Sequence, residues 1–271
     1  MTLLVRDEED IIRENVEFHL SQGVDFIIAT DNRSIDTTTA ILREYEDKGV
    51  LRYIYEGEDN YNQHAWVTRM ARMAYTHYGA DWVINNDADE FWWPREKTLS
   101  ETLARLPAHI NIVRADRHNF VAVDQSEDPF WSRMIYRKAI SLNPIGNPLP
   151  PKVAHRGSGQ ITVDQGNHRV HGLSAPEEIG DLIDILHFPV RSYQQIVNKI
   201  AKGGAAYCRN ENLPESTGIT WRRLYEQLQK HNTIRPFFEE TYYDEKRLAS
   251  ALISGDIVVD RRLKRYMNEC L

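Results

Sequence analysis

The sequence predicts an α/β fold: a mostly parallel, Rossmann-like sheet flanked by helices over residues 1–200, followed by a small C-terminal helical region over 201–271. Two observations predict the sheet. Short apolar runs alternate with helix-period segments over residues 1–100, and one apolar run ends abruptly in carboxylates at Asp87 and Asp89. The helical region is predicted from Tyr193 onward, where charged, aromatic-bearing stretches replace the strand signals.

The elements of the amino-terminal part follow in order. Four short runs predict strands: Thr2–Arg6, Asp25–Thr30, Leu51–Tyr55 and Asp81–Asn86. Between them, apolar residues recur at helical spacing, and each of these three helices is predicted to end at a glycine: Gly23, Gly49 and Gly79. Strand–helix alternation of this kind predicts parallel strands with helices on both faces of the sheet.

After residue 91 the pattern changes. Further strands are predicted at these five runs: Asn111–Arg117, Trp131–Lys138, Val153–His155, Gln160–Val163 and Asp181–Phe188. Asn143–Pro151 holds four prolines and a glycine and is predicted to be a loop. The last part of the chain is predicted to be helical at Trp221–His231 and Asp244–Ser254.

Composition excludes several classes of protein. A formal net charge of −7 argues against a nucleic-acid partner. Two widely spaced cysteines, Cys208 and Cys270, give no disulfide framework and favour a reducing, cytoplasmic compartment. No apolar run reaches the length of a membrane span. A basic run near the end, at Arg261, Arg262, Lys264 and Arg265, leaves peripheral contact with the inner face of the membrane open, although a solvated helix face explains it as well.

The carboxylates after Asp81–Asn86 are the main functional signal. Asp87, Asp89 and Glu90 follow a strand predicted to be buried, at the sheet edge where open α/β sheets bind ligands. Three close carboxylates repel one another, so the cluster costs stability unless a cation neutralises it. Oxygen ligands suit Mg²⁺ or Mn²⁺, which in turn hold diphosphates. The segment predicts a metal–nucleotide site; an acidic turn is the plain alternative.

Three segments together resemble glycosyltransferases of the GT-A fold, specifically the family 2-like group: Leu4–Glu9, Asp31–Thr38 and Asn86–Phe91. The resemblance implies a transferase that moves a sugar from a nucleotide-diphosphate donor, a UDP-sugar, to a hydroxyl of a carbohydrate or glycolipid acceptor. It further implies inversion, and a role in polysaccharide or glycoconjugate biosynthesis. The nucleotide-sugar half is then expected at about 1–120 and the acceptor half at about 121–200, with 201–271 as a helical extension.

The resemblance also implies roles for individual residues. Asp89 is expected to be the direct metal ligand, and Asp87 to contact the metal or the ribose. His187 is expected to supply a further metal ligand, because a late histidine does so in several GT-A enzymes. The metal would be Mn²⁺ or Mg²⁺. A satisfied buried histidine is the alternative for His187.

Five residues are candidates for contact with the nucleotide besides Asp87: Arg6, Asp7, Asp31, Asp36 and Gln63. Asp31 and Asp36 could hydrogen-bond the base or ribose, although Asp36 is equally placed to cap the next helix. Arg6 could reach a phosphate or the face of the base, and a surface ion pair with Glu8 or Glu9 is its plain alternative. Gln63 matches a glutamine of related sequences, with a position beside a helix N-cap as its plain alternative.

A general base must remove the proton from the acceptor hydroxyl. Asp164 is the candidate, because it follows a predicted strand and precedes a glycine loop; Asp184 and His168 are rivals. Two other functions stay open. One is a non-catalytic domain that binds nucleotide sugar or a partner protein. The other is a sugar-phosphate nucleotidyltransferase, disfavoured because the loop Arg6–Asp10 is acidic and lacks glycine.

Overall fold

A computed structural model of the chain describes residues 1–123, 126, 128–143, 146–174, 176–214 and 216–270. The chain divides into two compact units. The first comprises Met1–Glu58, Asn62–Arg117 and Leu149–Leu186, and the second Asp59–Tyr61, His118–Pro148 and His187–Leu271. The boundary expected at residue 200 stays a prediction.

The elements up to residue 163 are, in chain order, β1 Thr2–Val5, α1 Ile12–Ser21, β2 Ile27–Asp31, α2 Thr38–Asp47, β3 Leu51–Tyr55, α3 Gln63–Tyr78, β4 Trp82–Asp87, β5 Glu90–Pro94, α4 Leu99–Ala104, β6 Ile110–Asn119, α5 Phe130–Arg133, β7 Tyr136–Lys138, β8 Lys152–Arg156 and β9 Thr162–Val163. They are followed by β10 Val170–His171, β11 Glu177–Ile179, β12 Ile183–His187, α6 Tyr193–Lys199, a π-helical segment Ile200–Gly204, α7 Ala205–Arg209, α8 Ile219–His231, α9 Arg235–Thr241, α10 Glu245–Ser254, β13 Ile257–Val259 and α11 Arg262–Cys270.

The central sheet has the strand order β3-β2-β1-β4-β8-β6-β12-β5, and β11 pairs with β6. The first four strands of that order are parallel, whereas β8 runs antiparallel to both β4 and β6. The carboxyl ends of β1, β2 and β4 therefore meet at one edge, and the first residue of β8, Lys152, lies at the same edge. The predicted α/β sheet flanked by helices and the helical C-terminal region are confirmed.

Helix α3 lies on this sheet through one apolar face. Trp66, Met70 and Ala74 recur every four residues and pack against Leu4 and Val83 of the neighbouring strands. The helix ends as predicted at a left-handed glycine, Gly79, with φ +65°. Its first residue, Gln63, is thereby placed beside the edge at which β1 and β4 end.

One of the predicted strands differs from the structure. Trp131–Lys138 was predicted as one strand, but Phe130–Arg133 forms a short helix and only Tyr136–Lys138 is a strand. Pro129 fixes the backbone before this helix, and the Arg133 side chain donates to the Asp128 carbonyl. So short an apolar run does not by itself separate helix from strand. The loop predicted at Asn143–Pro151 lies partly outside the described residues.

The second unit is built mainly from the late helices. One apolar cluster joins buried residues of α6, α8 and α9, including Ile196, Leu224 and Phe238. A smaller cluster packs α10 and β13 around Val121 and Ile257. Within the described ranges, none of the helices combines the length and the apolar character needed to cross a membrane.

Two buried histidines of the first unit predict a pH-dependent stability. His19 and His155 are both fully buried, and burial lowers their pKa values to about 3 and about 4. An unfolded histidine has a pKa of about 6.5. Below that value the unfolded chain takes up protons that the folded chain does not. The free energy of unfolding is therefore full above about pH 6.5 and falls as the pH decreases, by up to about 1.4 kcal/mol per histidine and pH unit.

Urea denaturation at about pH 7.5 and about pH 5 measures this effect. We expect a His155→Gln variant, whose side chain does not titrate, to show a shallower decline than the unsubstituted protein. A free energy of unfolding that stays constant over this range would contradict the neutral state of both imidazoles.

Candidate functional site at the carboxyl ends of the parallel strands

The loops after β1 and β2 are joined by hydrogen bonds. The Asp7 carboxylate accepts from the Ile35 backbone N–H at 2.8 Å, and the Asp7 N–H donates to the Ser34 hydroxyl at 2.9 Å. Glu9 Oε2 accepts from the backbone N–H and the hydroxyl of Thr37. These contacts fix the two loops against each other, so that both present a defined surface at the sheet edge.

The predicted nucleotide residues of these loops are therefore already engaged. Asp31 is fully buried: Oδ1 accepts from the Ser34 N–H, and Oδ2 accepts from the hydroxyls of Thr39 and Tyr53 at 2.5 and 3.1 Å. Asp36 accepts from the backbone N–H groups of Glu9 and of Thr38, the first residue of α2, while the N-cap position of that helix is taken by Thr37.

Arg6 directly follows β1, and its side chain contacts the loop after β2. One guanidinium nitrogen is 3.5 Å from Asn32 Oδ1. Asn32 in turn donates to the backbone carbonyls of Glu56 and Glu58. The guanidinium is thus placed beside the loop that follows β2, where it can meet an anionic ligand.

A buried amide holds the acidic turn in place. Asn15 of α1 is fully buried, and its Nδ2 donates to the backbone carbonyls of Ala88 and Glu90 at 2.9 and 2.8 Å. Its Oδ1 accepts from Asn86 Nδ2 at 3.0 Å. These bonds flank Asp89 on both sides, so the position of Asp89 is determined by the first helix as well as by its own strand. The Asp89 residue is only 5% exposed.

The two oxygens of Asp87 have different partners. Oδ1 accepts from Gln63 Nε2 and from Asn167 Nδ2, each at 3.1 Å. Oδ2 forms an ion pair with the ammonium of Lys152. The carboxylate is thereby surrounded by donors from α3, β8 and the turn between β9 and β10.

Lys152 is the least expected member of the site. It is 1% exposed, and its ammonium also lies 3.3 Å from Oε1 of Glu90, which is itself fully buried. Arg117 of β6 lies 3.7 Å from the same Glu90 oxygen. Two carboxylates, Asp87 and Glu90, thus face two cations. The cation needed to neutralise this strand end comes at least in part from the chain itself.

The turn between β9 and β10 covers one side of the site. The Gly166 N–H donates to Gln63 Oε1 at 2.9 Å, and Asn167 reaches Asp87 as described. Asp164 begins the same turn, but its carboxylate accepts from His171 Nε2 at 3.0 Å and is 43% exposed. The predicted base therefore lies on the turn that contacts Asp87, with its own carboxylate directed to a surface histidine.

His168, a rival for the base, is held in one tautomer. Its Nδ1 lies 2.9 Å from the Pro151 carbonyl, which can only accept, so Nδ1 carries the proton and Nε2 is the acceptor. Burial, followed by the positive charges of Lys152 and Arg117, lowers the pKa of His168 to about 4. The imidazole is consequently neutral at pH 7.

Gly166 allows His168 to take this position, which gives a second prediction. Its φ is +83°, and a Cβ there would lie 2.7 Å from His168 Nε2. We expect Gly166→Ala to lower the free energy of unfolding by about 1–3 kcal/mol, because the substitution combines backbone strain with a clash. Chemical denaturation measures the loss. Gly49→Ala is the matched control, with φ +75° and open space around the added methyl group, and a loss as large in the control would show that the clash contributes nothing.

The remaining predicted residues lie elsewhere. His187 belongs to the second unit, where its Nδ1 is 2.6 Å from Asn119 Oδ1. Asp184 accepts from two guanidinium nitrogens of Arg95 at 2.9 and 3.1 Å. The metal role of His187 stays a prediction. Asp184, a residue of β12, forms an ion pair with Arg95.

The acidic turn is predicted from the sequence to hold a divalent cation. Among the described residues, no group of three or more His, Cys, Asp or Glu side chains is arranged to hold a metal ion. Asp87 faces an ammonium and the NH₂ groups of two amides, which donate hydrogen bonds and do not ligate a metal ion. The described side chains therefore do not form a complete metal site on their own, and further oxygen ligands would have to come from a bound diphosphate.

Three members of the site were missed by the sequence analysis: Lys152, Asn167 and Arg117. Lys152 stands directly after a proline-rich loop at the start of an apolar strand, where an isolated lysine is an unusual choice. That signal marks Lys152 as unusual but does not indicate its partners. Asn167 and Arg117 carry no comparable signal, because their roles depend on the pairing of β6 and β8 and on the turn after β9.

Comparison with known proteins gives one family match. The sequence model described as Glycosyltransferase family 92 matches residues 1–245. None of the curated protein sequences matches the chain.

Solved structures of low similarity were also found. S. aureus TarS 1–349 in complex with UDP has 11% identity and a TM-score of 0.46, covering 87% of this chain and 72% of that chain. Glucosyl-3-phosphoglycerate synthase from Mycobacterium tuberculosis, in complex with Mn²⁺, UDP and phosphoglyceric acid, has 16% identity and a TM-score of 0.34, covering 57% and 54%. Both scores are too low to carry weight in the assignment.

Proposed function

This chain belongs to glycosyltransferase family 92, and from that premise we propose that it transfers a sugar from a nucleotide-diphosphate donor, a UDP-sugar, to a hydroxyl acceptor. The observation that carries the proposal is the sheet edge where β1, β2 and β4 end. There the acidic turn at Asp87–Glu90 and the cations Lys152 and Arg117 are assembled in one place. Open α/β sheets bind their ligands at such an edge.

The chemistry requires charge stabilisation of the leaving group. As the bond between the sugar and the diphosphate breaks, negative charge grows on the diphosphate, and groups that interact more strongly with it in the transition state accelerate transfer. Arg6 is the residue of this edge that we assign to the donor's phosphates or base. Asp31, Asp36 and Asp7 act on the donor by fixing the two loops that receive it.

We assign Asp89 to the donor's metal–diphosphate group, with Mn²⁺ or Mg²⁺ as the ion. The ion supplies positive charge to the leaving diphosphate when it is bound. Asp87 and Gln63 then shape the pocket around the ribose and the diphosphate, since both are held by the turn after β9.

The acceptor hydroxyl must lose its proton as it attacks, with inversion at the anomeric carbon. Asp164 is the base that we propose, because its half-exposed carboxylate can meet an acceptor from solvent. His168 is the alternative: its Nε2 accepts, but its low pKa makes it a weak base. The product would be a polysaccharide or a glycoconjugate, and a cytoplasmic location stays a prediction.

Release of UDP from a panel of UDP-sugars, with and without simple saccharide acceptors, tests the proposal. With Mn²⁺ but no acceptor, we expect slow release of UDP from at least one of the donors. Adding an acceptor should make the release of UDP faster. A protein that binds a UDP-sugar but releases no UDP under any of these conditions would instead be the non-catalytic binding domain, and the transferase proposal would be wrong.

A further inference from the structure

Lys152 is a charged side chain without access to water. At 1% exposure, its ammonium cannot be hydrated and depends on the carboxylates of Asp87 and Glu90. A buried ion pair is retained only where each charge has a partner, because an unpaired buried charge is strongly destabilising. Together with Arg117, which lies 3.7 Å from the same Glu90 oxygen, these three side chains form one electrostatic unit.

This unit determines what Asp87 can bind. Its Oδ2 is paired with Lys152, and its Oδ1 accepts from the amides of Gln63 and Asn167. A divalent cation that approached Asp87 would have to displace an ammonium or two amide donors. It would also be repelled by the charge of Lys152.

The negative charge of Glu90 is also paired with cations of the chain. Lys152 lies 3.3 Å and Arg117 3.7 Å from the same Glu90 oxygen. With Asp87 and Glu90 facing Lys152 and Arg117, the formal charges of these four side chains cancel. An acidic turn that would otherwise attract a divalent cation is thus largely neutralised by the chain.

We propose that Lys152 is the permanent counter-ion of this site: it keeps Asp87 and Glu90 paired before any ligand binds, so that the chain takes up a divalent cation only together with a nucleoside diphosphate. The phosphate oxygens supply the negative charge and the metal ligands, because Asp87 and Glu90 are already paired with cations of the chain. Lys152 is a positioning residue in this account. The proposal rests on the transferase function proposed above, because that function brings a nucleoside diphosphate to this edge.

Mn²⁺ binding measured by electron paramagnetic resonance tests the proposal without turnover. Free Mn²⁺ is titrated against the protein alone and against the protein with UDP, and Mn²⁺ with UDP but without protein is subtracted. We expect the unsubstituted protein to bind Mn²⁺ at least about tenfold more tightly in the presence of UDP. Equal affinity in both arms would overturn the proposal.

Variants of Lys152 identify the cause. We expect Lys152→Met to gain Mn²⁺ binding without UDP, by about tenfold or more, because Asp87 Oδ2 then faces no ammonium. Lys152→Arg, which keeps the charge, is expected to behave like the unsubstituted protein. Lys138→Met is the matched control, since Lys138 donates to the neutral Tyr243 hydroxyl and belongs to the second unit. A folded Lys152→Met variant without this gain would overturn the proposal.

Failure of this inference and failure of the proposed function are distinguishable. If the Lys152→Met variant does not fold, as judged by circular dichroism, the Lys152→Met/Glu90→Gln double variant, which has one buried carboxylate fewer, is titrated in its place, and no gain of Mn²⁺ binding without UDP in that variant would overturn the inference. If UDP does not bind to the protein with or without Mn²⁺, the transferase proposal fails. If UDP binds, but the affinity for Mn²⁺ is the same with and without UDP, only the role of Lys152 is wrong.

Discussion

Replacing Asp89 by Asn is expected to lower the kcat/KM for the sugar donor by about 10²–10³-fold, as for the loss of one preorganised electrostatic group in an active site. The substitution keeps the shape of the side chain and removes only its charge. Asn15 holds the backbone on both sides of this residue through the carbonyls of Ala88 and Glu90. The turn should therefore keep its conformation while the donor's metal–diphosphate group loses a carboxylate.

Steady-state assays of UDP release, together with thermal unfolding, measure this effect. Asp181→Asn is a matched control, because the Asp181 carboxylate is 85% exposed and lies 3.6 Å from Arg95 in the same unit. We expect the control to keep normal turnover. Full activity of Asp89→Asn would contradict the placement of the donor at this turn, and a collapse of its melting transition would mean that the residue is structural.

Replacing Lys152 by Met is expected to cost about 3–5 kcal/mol of the free energy of unfolding, because it leaves the buried carboxylate of Glu90 and the partly exposed carboxylate of Asp87 without their ammonium. Glu90 is fully buried, so it cannot recover the lost interaction from water. Denaturation by urea gives the free energy of unfolding. If this free energy changes with urea concentration at the same slope in both proteins, their unfolding transitions can be compared directly.

A double variant separates the lost pairing from a change in packing. In Lys152→Met, the carboxylates of Asp87 and Glu90 both lose the Lys152 ammonium. Adding Glu90→Gln removes one of these two negative charges, so we expect the double variant to be more stable than Lys152→Met alone. The two substitutions should be strongly non-additive, as expected for residues in contact. Additive losses would show that Lys152 stabilises the protein through its methylene groups and not through Glu90.

The parallel half of the fold could be predicted because its signals are local. Leu51–Tyr55 was predicted with the bounds that the structure has, and α3 ends at Gly79 as its left-handed conformation requires. The acidic turn after β4 was also found from the sequence, since a buried strand that ends in carboxylates is unusual. Phe130–Arg133 was predicted wrongly because four residues are too few for a periodic pattern.

The electrostatic partners of that turn could not be predicted, because they come from distant parts of the chain. Lys152 reaches Asp87 only because β8 runs antiparallel beside β4, and nothing in the local sequence specifies that pairing. Asn167 depends in the same way on the turn after β9. The sequence therefore predicted carboxylates in need of a cation but not that the chain supplies one.

Thermal unfolding with a panel of nucleoside diphosphates, each with and without Mn²⁺, tests the central claim most directly. We predict that UDP with Mn²⁺ raises the melting temperature, that Mn²⁺ alone does not, and that the increase is lost in Asp89→Asn. No increase with any nucleoside diphosphate would contradict a donor site at the carboxyl ends of β1, β2 and β4.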